Sequence, residues 1–184
     1  MIVVIVALET ELSRQHLPTG MTLVHSGVGK VNAALATCAA LARHTPTLLV
    51  NYGTAGSIGA VAGGLVEVNR VIQRDMLAVP LAPRGVTPFE SLRAEIANGS
   101  TGLRCATGDS FVTADDPWLR AQGVDLVDME LFAIARACER ATIPWRSFKF
   151  VTDAAGAEAV DDWPARVGDG ELMFLERLAA LASE

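Results

Sequence analysis

The chain of 184 residues carries 15 lysines and arginines against 21 aspartates and glutamates, a formal net charge of −6, and 51% of it is hydrophobic. This length and apolar content favour one folded domain over residues 1–184 and argue against a disordered chain. The acidic balance disfavours nucleic acid and anionic membrane surfaces as partners, so we expect a small molecule or a protein.

The cysteines and the first residues indicate where the protein resides. Cys38, Cys105 and Cys138 stand far apart in apolar stretches, which predicts buried thiols in a reducing compartment. Residues 1–8 lack a basic segment and reach Glu9 too early for a signal peptide, so we expect a cytoplasmic protein. The histidines are scattered and His25 lies in an apolar strand as a core residue, so we expect no metal and no cofactor.

The pattern of apolar residues predicts alternating strands and helices. Residues 2–8 form an unbroken, β-branched run, which is typical of a strand covered on both faces. The other predicted elements are, in chain order, a strand over 22–26, a helix over 31–43, a strand over 48–51, a glycine-rich bend over 53–59, a strand over 66–73, a mostly loop segment over 78–102 with a short helix over 92–97, strands over 103–107 and 126–127, a helix over 128–140, a strand over 145–151 and a helix from 161 or 162 to about 181.

This order predicts a single-domain α/β fold, a three-layer αβα arrangement around a mostly parallel mixed sheet. In such folds the ligand binds at the carboxyl ends of the strands. Polar residues follow four predicted strands, among them Glu11, Thr54, Glu130 and Asp153. Each has a structural explanation when taken alone, as a helix-dipole partner, a cap or a turn residue, but together they predict one polar crevice.

Lys149 is the residue that a purely structural interpretation explains least well. It lies in a strand that otherwise has the composition of a buried one, and a buried ammonium needs a carboxylate or a bound anion. Glu11, Glu130 and Asp153 are the candidate partners. An edge strand with a solvated Lys149 is the alternative.

Five segments in order give the chain a resemblance to a known family. They are SGVGKVNAA (26–34), NYGTAG (51–56), TGDSFV (107–112), VDMELFA (127–133) and VTD (151–153). Their order and content resemble the nucleoside phosphorylase superfamily, and they look most like its 5′-methylthioadenosine/S-adenosylhomocysteine nucleosidase branch. Five such motifs in sequence are specific even though each is short.

The resemblance implies a nucleoside phosphorylase-like domain that hydrolyses the N-glycosidic bond of a purine nucleoside and releases adenine. Catalysis is implied for Asp153, which protonates the base, for Glu11, which activates water, and for Lys149 beside it. Glu130 binds the ribose hydroxyls, Met129 packs on the sugar and Phe111 stacks on the purine. The other implied substrate-binding residues are Leu8, Thr54, Ala55, Gly56, Val112 and Asp128.

The chain departs from the family pattern at two positions. Lys149 stands where the nucleosidases have an arginine, so the charge is kept but the bidentate fork is lost. Gly156 stands where the family has a second aspartate.

Two alternatives to hydrolysis follow from the residues. A phosphorylase would need cations for the incoming phosphate, and Lys30, Arg74 and Lys149 are candidates, although Glu9 and Glu11 after the first strand disfavour an anion. A nucleoside-binding module without turnover is the other alternative, suggested by Lys149 and Gly156.

The proline-rich segment 80–89 is similar in position to the family's contribution to a neighbouring subunit. We therefore expect a homodimer with Pro88 or Phe89 near the partner's 5′ pocket, the alternative being a plain surface loop. Trp163, after the loop that carries the acid, is a candidate to close over the ligand, the alternative being a core aromatic residue at a helix start.

Overall fold

The computed structural model describes residues 1–59, 61–99, 101–154 and 166–183, with 153 and 154 as backbone only. The strands are β1 (Ile2–Val6), β2 (Thr22–His25), β3 (Leu48–Ser57), β4 (Gly64–Gln73), β5 (Glu95–Ala97), β6 (Leu103–Thr107), β7 (Leu126–Asp128) and β8 (Trp145–Ala154). The helices are a 3-10 turn (Arg14–His16), α1 (Lys30–His44), α2 (Pro117–Ala121), α3 (Leu131–Ala141) and α4 (Glu171–Leu181).

The strands form one mixed sheet, part of which closes on itself. β1 lies between β2 and β3, and these three strands and β8 run parallel. β3 also pairs with β7, β7 with β6, β6 with β4, and β4 with β8, which returns to β3. The predicted α/β class and mixed sheet are confirmed, while the closed ring of five strands was not foreseen.

β1 is covered on both faces, which explains its unbroken apolar sequence. Val3 and Ile5 belong to a buried cluster with residues of α1 and α3. Val4 and Val6 point the other way, into a cluster that contains Phe174 of α4. The carboxyl ends of β1, β3 and β8 meet at one edge of the sheet because the strands are parallel, and this edge holds the site described below.

Three sequence-based predictions are wrong, one in the type of an element and two in the boundaries of elements. Residues 95–97, predicted as helix, form β5, because Ile96 is buried and the segment pairs with β4. The glycine-rich segment after residue 51 continues β3 to Ser57, because β8 pairs along that whole length. Asp128, predicted to open a helix, ends β7, and α3 begins at Leu131.

Some of the remaining expectations concern residues that the structure describes, and others concern residues outside the described ranges. Cys105 and Cys138 are buried thiols, but Cys38 is exposed on α1, which corrects that expectation. His25 is satisfied, since its ring Nε2 lies 3.0 Å from the Leu12 carbonyl oxygen. Gly156, Trp163 and the predicted start of the last helix lie outside the described residues. Within the described ranges, no helix is both long and apolar enough to cross a membrane.

Candidate active site

A cleft of about 230 Å³ opens at the carboxyl ends of the strands. It takes in the turn after β1, the end of β3, the segment between β6 and α2, and the end of β7. Its lining residues are Ala7, Leu8, Glu11, Val28, Thr54, Ala55, Gly56, Arg74, Ser110, Phe111, Val112, Val127, Asp128, Met129 and Glu130. All the substrate-binding residues expected from the sequence therefore lie together, with Glu11.

Glu11 is held rigidly by the ends of two strands. Its Oε2 accepts a hydrogen bond from the Leu8 amide at 3.1 Å. Its Oε1 accepts from the Thr54 amide at 2.9 Å and from the Thr54 hydroxyl at 3.0 Å. Only 3% of Glu11 is exposed. Three donors thus fix the Glu11 side chain in the cleft wall.

Lys149 is buried, and its partner is a carboxylate that the sequence interpretation did not name. Its Nζ lies 2.8 Å from Asp128 Oδ2, so among the described side chains Asp128, rather than Glu11 or Glu130, forms the ion pair. Burial lowers the pKa of Lys149, but the negative charges of Asp128 and Glu130 raise it by a larger amount, so the net shift is upward. Lys149 is absent from the cleft lining, whereas its partner Asp128 belongs to it.

Asp128 organises the end of β7 and the start of α3. Its Oδ1 accepts from the Thr107 hydroxyl at 2.5 Å, and its Oδ2 accepts from the Leu131 amide at 2.8 Å. Burial raises the pKa of Asp128, but Lys149 and these donors lower it more strongly, so it is depressed overall. Asp128 lies two residues before Glu130, the N-cap residue of α3, and accepts from the first amide of the helix, so it ends β7 instead of opening α3.

Glu130 is a cleft carboxylate with a raised pKa. Burial and the neighbouring Asp128 raise its pKa to about 7, although Lys149 and the amide of Gly29 oppose the shift. Its Oε1 accepts from that amide at 2.8 Å, which ties α3 to the glycine turn before α1. Near neutral pH the group is therefore partly protonated and can both accept and donate hydrogen bonds.

Asp153 lies in β8 beside Gly56 of β3, which lines the cleft. Its side chain lies outside the described residues. The backbone register brings this position to the same edge of the sheet as Glu11 and Thr54.

Arg74 is a cleft residue to which the sequence analysis gave no role in a nucleosidase. It follows β4 directly and is only 5% exposed. A charged residue at a strand's carboxyl end was the available signal, and it was used only for the phosphate alternative. Within the described ranges, no group of three His, Cys, Asp or Glu side chains is placed to hold a metal ion.

The chain is similar to proteins of a known family. A family model described as the phosphorylase superfamily matches residues 9–184. The chain is 31% identical over 164 residues to a 5′-methylthioadenosine/S-adenosylhomocysteine nucleosidase of Anoxybacillus flavithermus, covering 76% of this chain and 70% of the relative. It is also 31% identical over 184 residues to the enzyme so named from a Geobacillus species, covering 82% and 78%.

A solved structure shares the fold. The 5′-methylthioadenosine/S-adenosylhomocysteine nucleosidase of Colwellia psychrerythraea, crystallised with adenine, superposes with a TM-score of 0.78 at 23% identity. The match covers 90% of this chain and 87% of that one.

Proposed function

Because this chain belongs to the phosphorylase superfamily and is similar to its 5′-methylthioadenosine/S-adenosylhomocysteine nucleosidase branch, we propose that it is a purine nucleosidase. It hydrolyses the N-glycosidic bond of 5′-methylthioadenosine or S-adenosylhomocysteine and releases adenine. The observation that carries the proposal is the pair of carboxylates, Glu11 and Glu130, in one cleft wall. Asp128 in the same wall is already neutralised by Lys149.

The reaction breaks the bond between C1′ of the sugar and N9 of the base, and the electron pair goes to the base. Asp153 gives a proton to N7, so that adenine leaves neutral. The sugar becomes cationic, and the negative charge of Glu11 and Glu130 stabilises it. Water adds to C1′ and loses a proton to Glu11. The Glu11 side chain is held in place by hydrogen bonds from the Leu8 amide, the Thr54 amide and the Thr54 hydroxyl.

The ribose and the base occupy different parts of the cleft in this proposal. Glu130 binds the ribose hydroxyls and Met129 packs against the sugar, with Thr54, Ala55 and Gly56 forming the wall of β3. Phe111 and Val112 contact the purine. Phe111 is 44% exposed, and its ring supplies the aromatic surface against which the purine stacks in this proposal.

Hydrolysis is favoured over phosphorolysis because the candidate cations are engaged by the protein. Lys30 forms an ion pair with Asp75 and lies 3.8 Å from Asp109. Lys149 is paired with Asp128, and Arg74 donates to oxygens of Gly108 and Ser110. A phosphate would have to displace these acceptors.

Incubation with 5′-methylthioadenosine, S-adenosylhomocysteine and inosine, followed by chromatography of the free base, tests the proposal. We expect adenine from the first two. Asp153→Asn should abolish release and spare binding, whereas Glu139→Gln, an exposed acid on α3, should change neither. Binding without release of any base would instead indicate a nucleoside-binding module.

A homodimer is part of the proposal. Val31 and Leu35 of α1 are more than half exposed, as are Leu77 and Val79 after β4. The ion pair between Lys30 and Asp75 brings these two segments together. The apolar surface continues to Val28 in the cleft lining, so a second copy seated there would cover the cleft mouth.

Segment 80–89, which is expected at the partner's 5′ pocket, also exposes an apolar side chain. Phe89 is 93% exposed and has a φ of 60°, an unusual backbone conformation for a bulky residue. Light scattering should give a dimer for the wild type and a monomer for Val79→Asp. A wild-type monomer with full activity would contradict this part.

Two finer assignments complete the proposal. The clusters on both faces of β1 fit a three-layer αβα arrangement around that part of the sheet. The free thiols of Cys38, Cys105 and Cys138 fit a cytoplasmic location.

A further inference from the structure

Arg74 is a buried cation in the cleft wall for which the proposed reaction has no use. It is 5% exposed and lines the cleft beside Ser110, Phe111 and Val112. A buried guanidinium is stable only where several acceptors surround it. The identity of these acceptors therefore indicates what the residue does.

The acceptors of Arg74 all belong to one short segment of chain. Its Nη2 donates to the Gly108 carbonyl oxygen at 2.9 Å and also to the Ser110 carbonyl oxygen. Its Nη1 donates to the Ser110 hydroxyl at 3.1 Å. The backbone amide of Arg74 donates to the Thr107 carbonyl oxygen at 2.8 Å. The side chain thus binds the loop that follows β6, residues 108–112.

This 108–112 loop lies between β6 and α2, outside the regular strands and helices. The Lys30 amide donates to the Asp109 carboxylate at 2.7 Å and the Gly108 amide donates to the Asp128 carbonyl oxygen at 3.1 Å, so the start of the 108–112 loop has other contacts. The loop reaches Phe111 through Ser110, which Arg74 binds. Asp75, the neighbour of Arg74, accepts from the Asp109 amide at 2.9 Å, so adjacent residues of one turn hold two sides of the loop. Phe111 and Val112 extend from this anchored part into the cleft.

Gly108 is shaped to receive the Arg74 side chain. A Cβ at Gly108 would lie 2.8 Å from Arg74 Cγ and 2.9 Å from Cζ, closer than carbon atoms approach in folded proteins. Any other residue there would displace the guanidinium from its carbonyl partners. The glycine of the TGDSFV motif is thus explained by the close approach of Arg74.

We propose that Arg74 is a positioning residue for base binding: it holds the 108–112 loop in the conformation in which Phe111 and Val112 contact the purine. This rests on the proposed function. Its planar fork reaches two carbonyl oxygens and a hydroxyl at once, which the single ammonium of a lysine does not reproduce. Arg74 acts through the loop, so its loss should affect the base and leave binding of the sugar half intact.

The test compares Arg74→Met and Arg74→Lys with Arg70→Met. Arg70 lies on β4, the strand that Arg74 follows, donates to the Gly102 carbonyl oxygen and is absent from the cleft lining. Calorimetry measures the affinity for adenine and for 5-methylthioribose, and steady-state kinetics with 5′-methylthioadenosine gives KM and kcat. Arg74→Met should weaken adenine binding and raise KM by about tenfold or more, with a smaller change in kcat.

The other variants should separate positioning from a general structural loss. Arg74→Lys should fall between Arg74→Met and the wild type, 5-methylthioribose should bind all folded variants alike, and Arg70→Met should match the wild type. If Arg74→Met fails to fold, Gly108→Ala, which keeps the charge and displaces the side chain, should weaken adenine binding in the same way.

Three results would overturn the inference. Unchanged adenine affinity in Arg74→Met is one, and an equal loss of adenine and 5-methylthioribose binding is the second. The third is a phosphate dependence of turnover that Arg74→Met removes, since Arg74 would then bind the co-substrate. A wild-type protein that neither binds adenine nor cleaves nucleoside would overturn the proposed function itself, and this inference with it.

Discussion

The ammonium of Lys149 lies 2.8 Å from the carboxylate of Asp128, and both side chains are almost completely buried. Asp128 lines the cleft, and Lys149 lies behind it, outside the lining. A Cβ placed on Gly53 would lie 3.5 Å from Lys149 Nζ and 3.4 Å from Glu11 Oε1, so the lysine also faces the space beside Glu11. Lys149 thus offsets the negative charge of the cleft without entering it.

Removing this lysine should destabilise the protein strongly. In Lys149→Met the Asp128 carboxylate stays buried without its partner, which should cost about 3–5 kcal/mol in the free energy of unfolding. Lys149→Arg keeps the charge and should cost much less. Urea denaturation measures both, with Arg146→Met as the control, because the pair of Arg146 and Glu67 is partly exposed and worth about 0–1 kcal/mol.

The double variant Lys149→Met with Asp128→Asn should recover part of that loss, because residue 128 then no longer carries a buried charge without its partner. A Lys149→Met protein as stable as the wild type would contradict the assignment of the pair.

The raised pKa of Glu130 predicts a pH dependence of stability. In the folded protein the pKa is about 7, against an ordinary value of 4.5, so between these values the folded state binds more protons than the unfolded state. The contribution of Glu130 to stability is therefore present below pH 4.5 and is lost as the pH rises to about 7, by roughly 3 kcal/mol.

Glu130→Gln should remove that decline, which urea denaturation at a series of pH values would show. The depressed pKa of Asp128 acts in the opposite direction at lower pH, where protonation of its carboxylate removes stability, and should remain in the variant. Parallel profiles for wild type and Glu130→Gln would mean that Glu130 titrates normally.

Thr54 should matter for turnover through Glu11. Thr54→Val removes the hydroxyl that donates to Glu11 at 3.0 Å, while the backbone amide still donates at 2.9 Å. One hydrogen bond to a charged group is worth about 1.5–3 kcal/mol, so kcat should fall roughly ten- to a hundredfold if the whole effect appears in the transition state. Thr47→Val, at a hydroxyl that contacts the Met1 terminus, should leave kcat unchanged.

The sequence predicts the order of elements well because the buried strands are continuous apolar runs. It fails at residues 95–97, where the antiparallel pairing with β4 outweighs local propensity. It also fails in the glycines of β3, which stay extended because β8 pairs with them. Such pairings join residues that are far apart in the chain, and one sequence contains no sign of them.

The contacts of the site are likewise only partly predictable from the sequence. The sequence indicates that Lys149 needs a carboxylate, but choosing Asp128 among several acids requires the register of β7 and β8 against β3. Arg74 is missed because most of its partners are main-chain oxygens, which every residue carries. The polar residues at strand ends were predictable, since parallel strands end at one edge.

Hydrolysis in a cleft where Glu11 activates water is tested most directly by adenine release from 5′-methylthioadenosine with and without phosphate. We expect the wild type to release adenine and free 5-methylthioribose at the same rate in both buffers. Glu11→Gln should lower kcat by about a hundredfold or more while still binding adenine. Release that requires phosphate and yields a sugar 1-phosphate, or a Glu11→Gln variant as active as the wild type, would contradict the account.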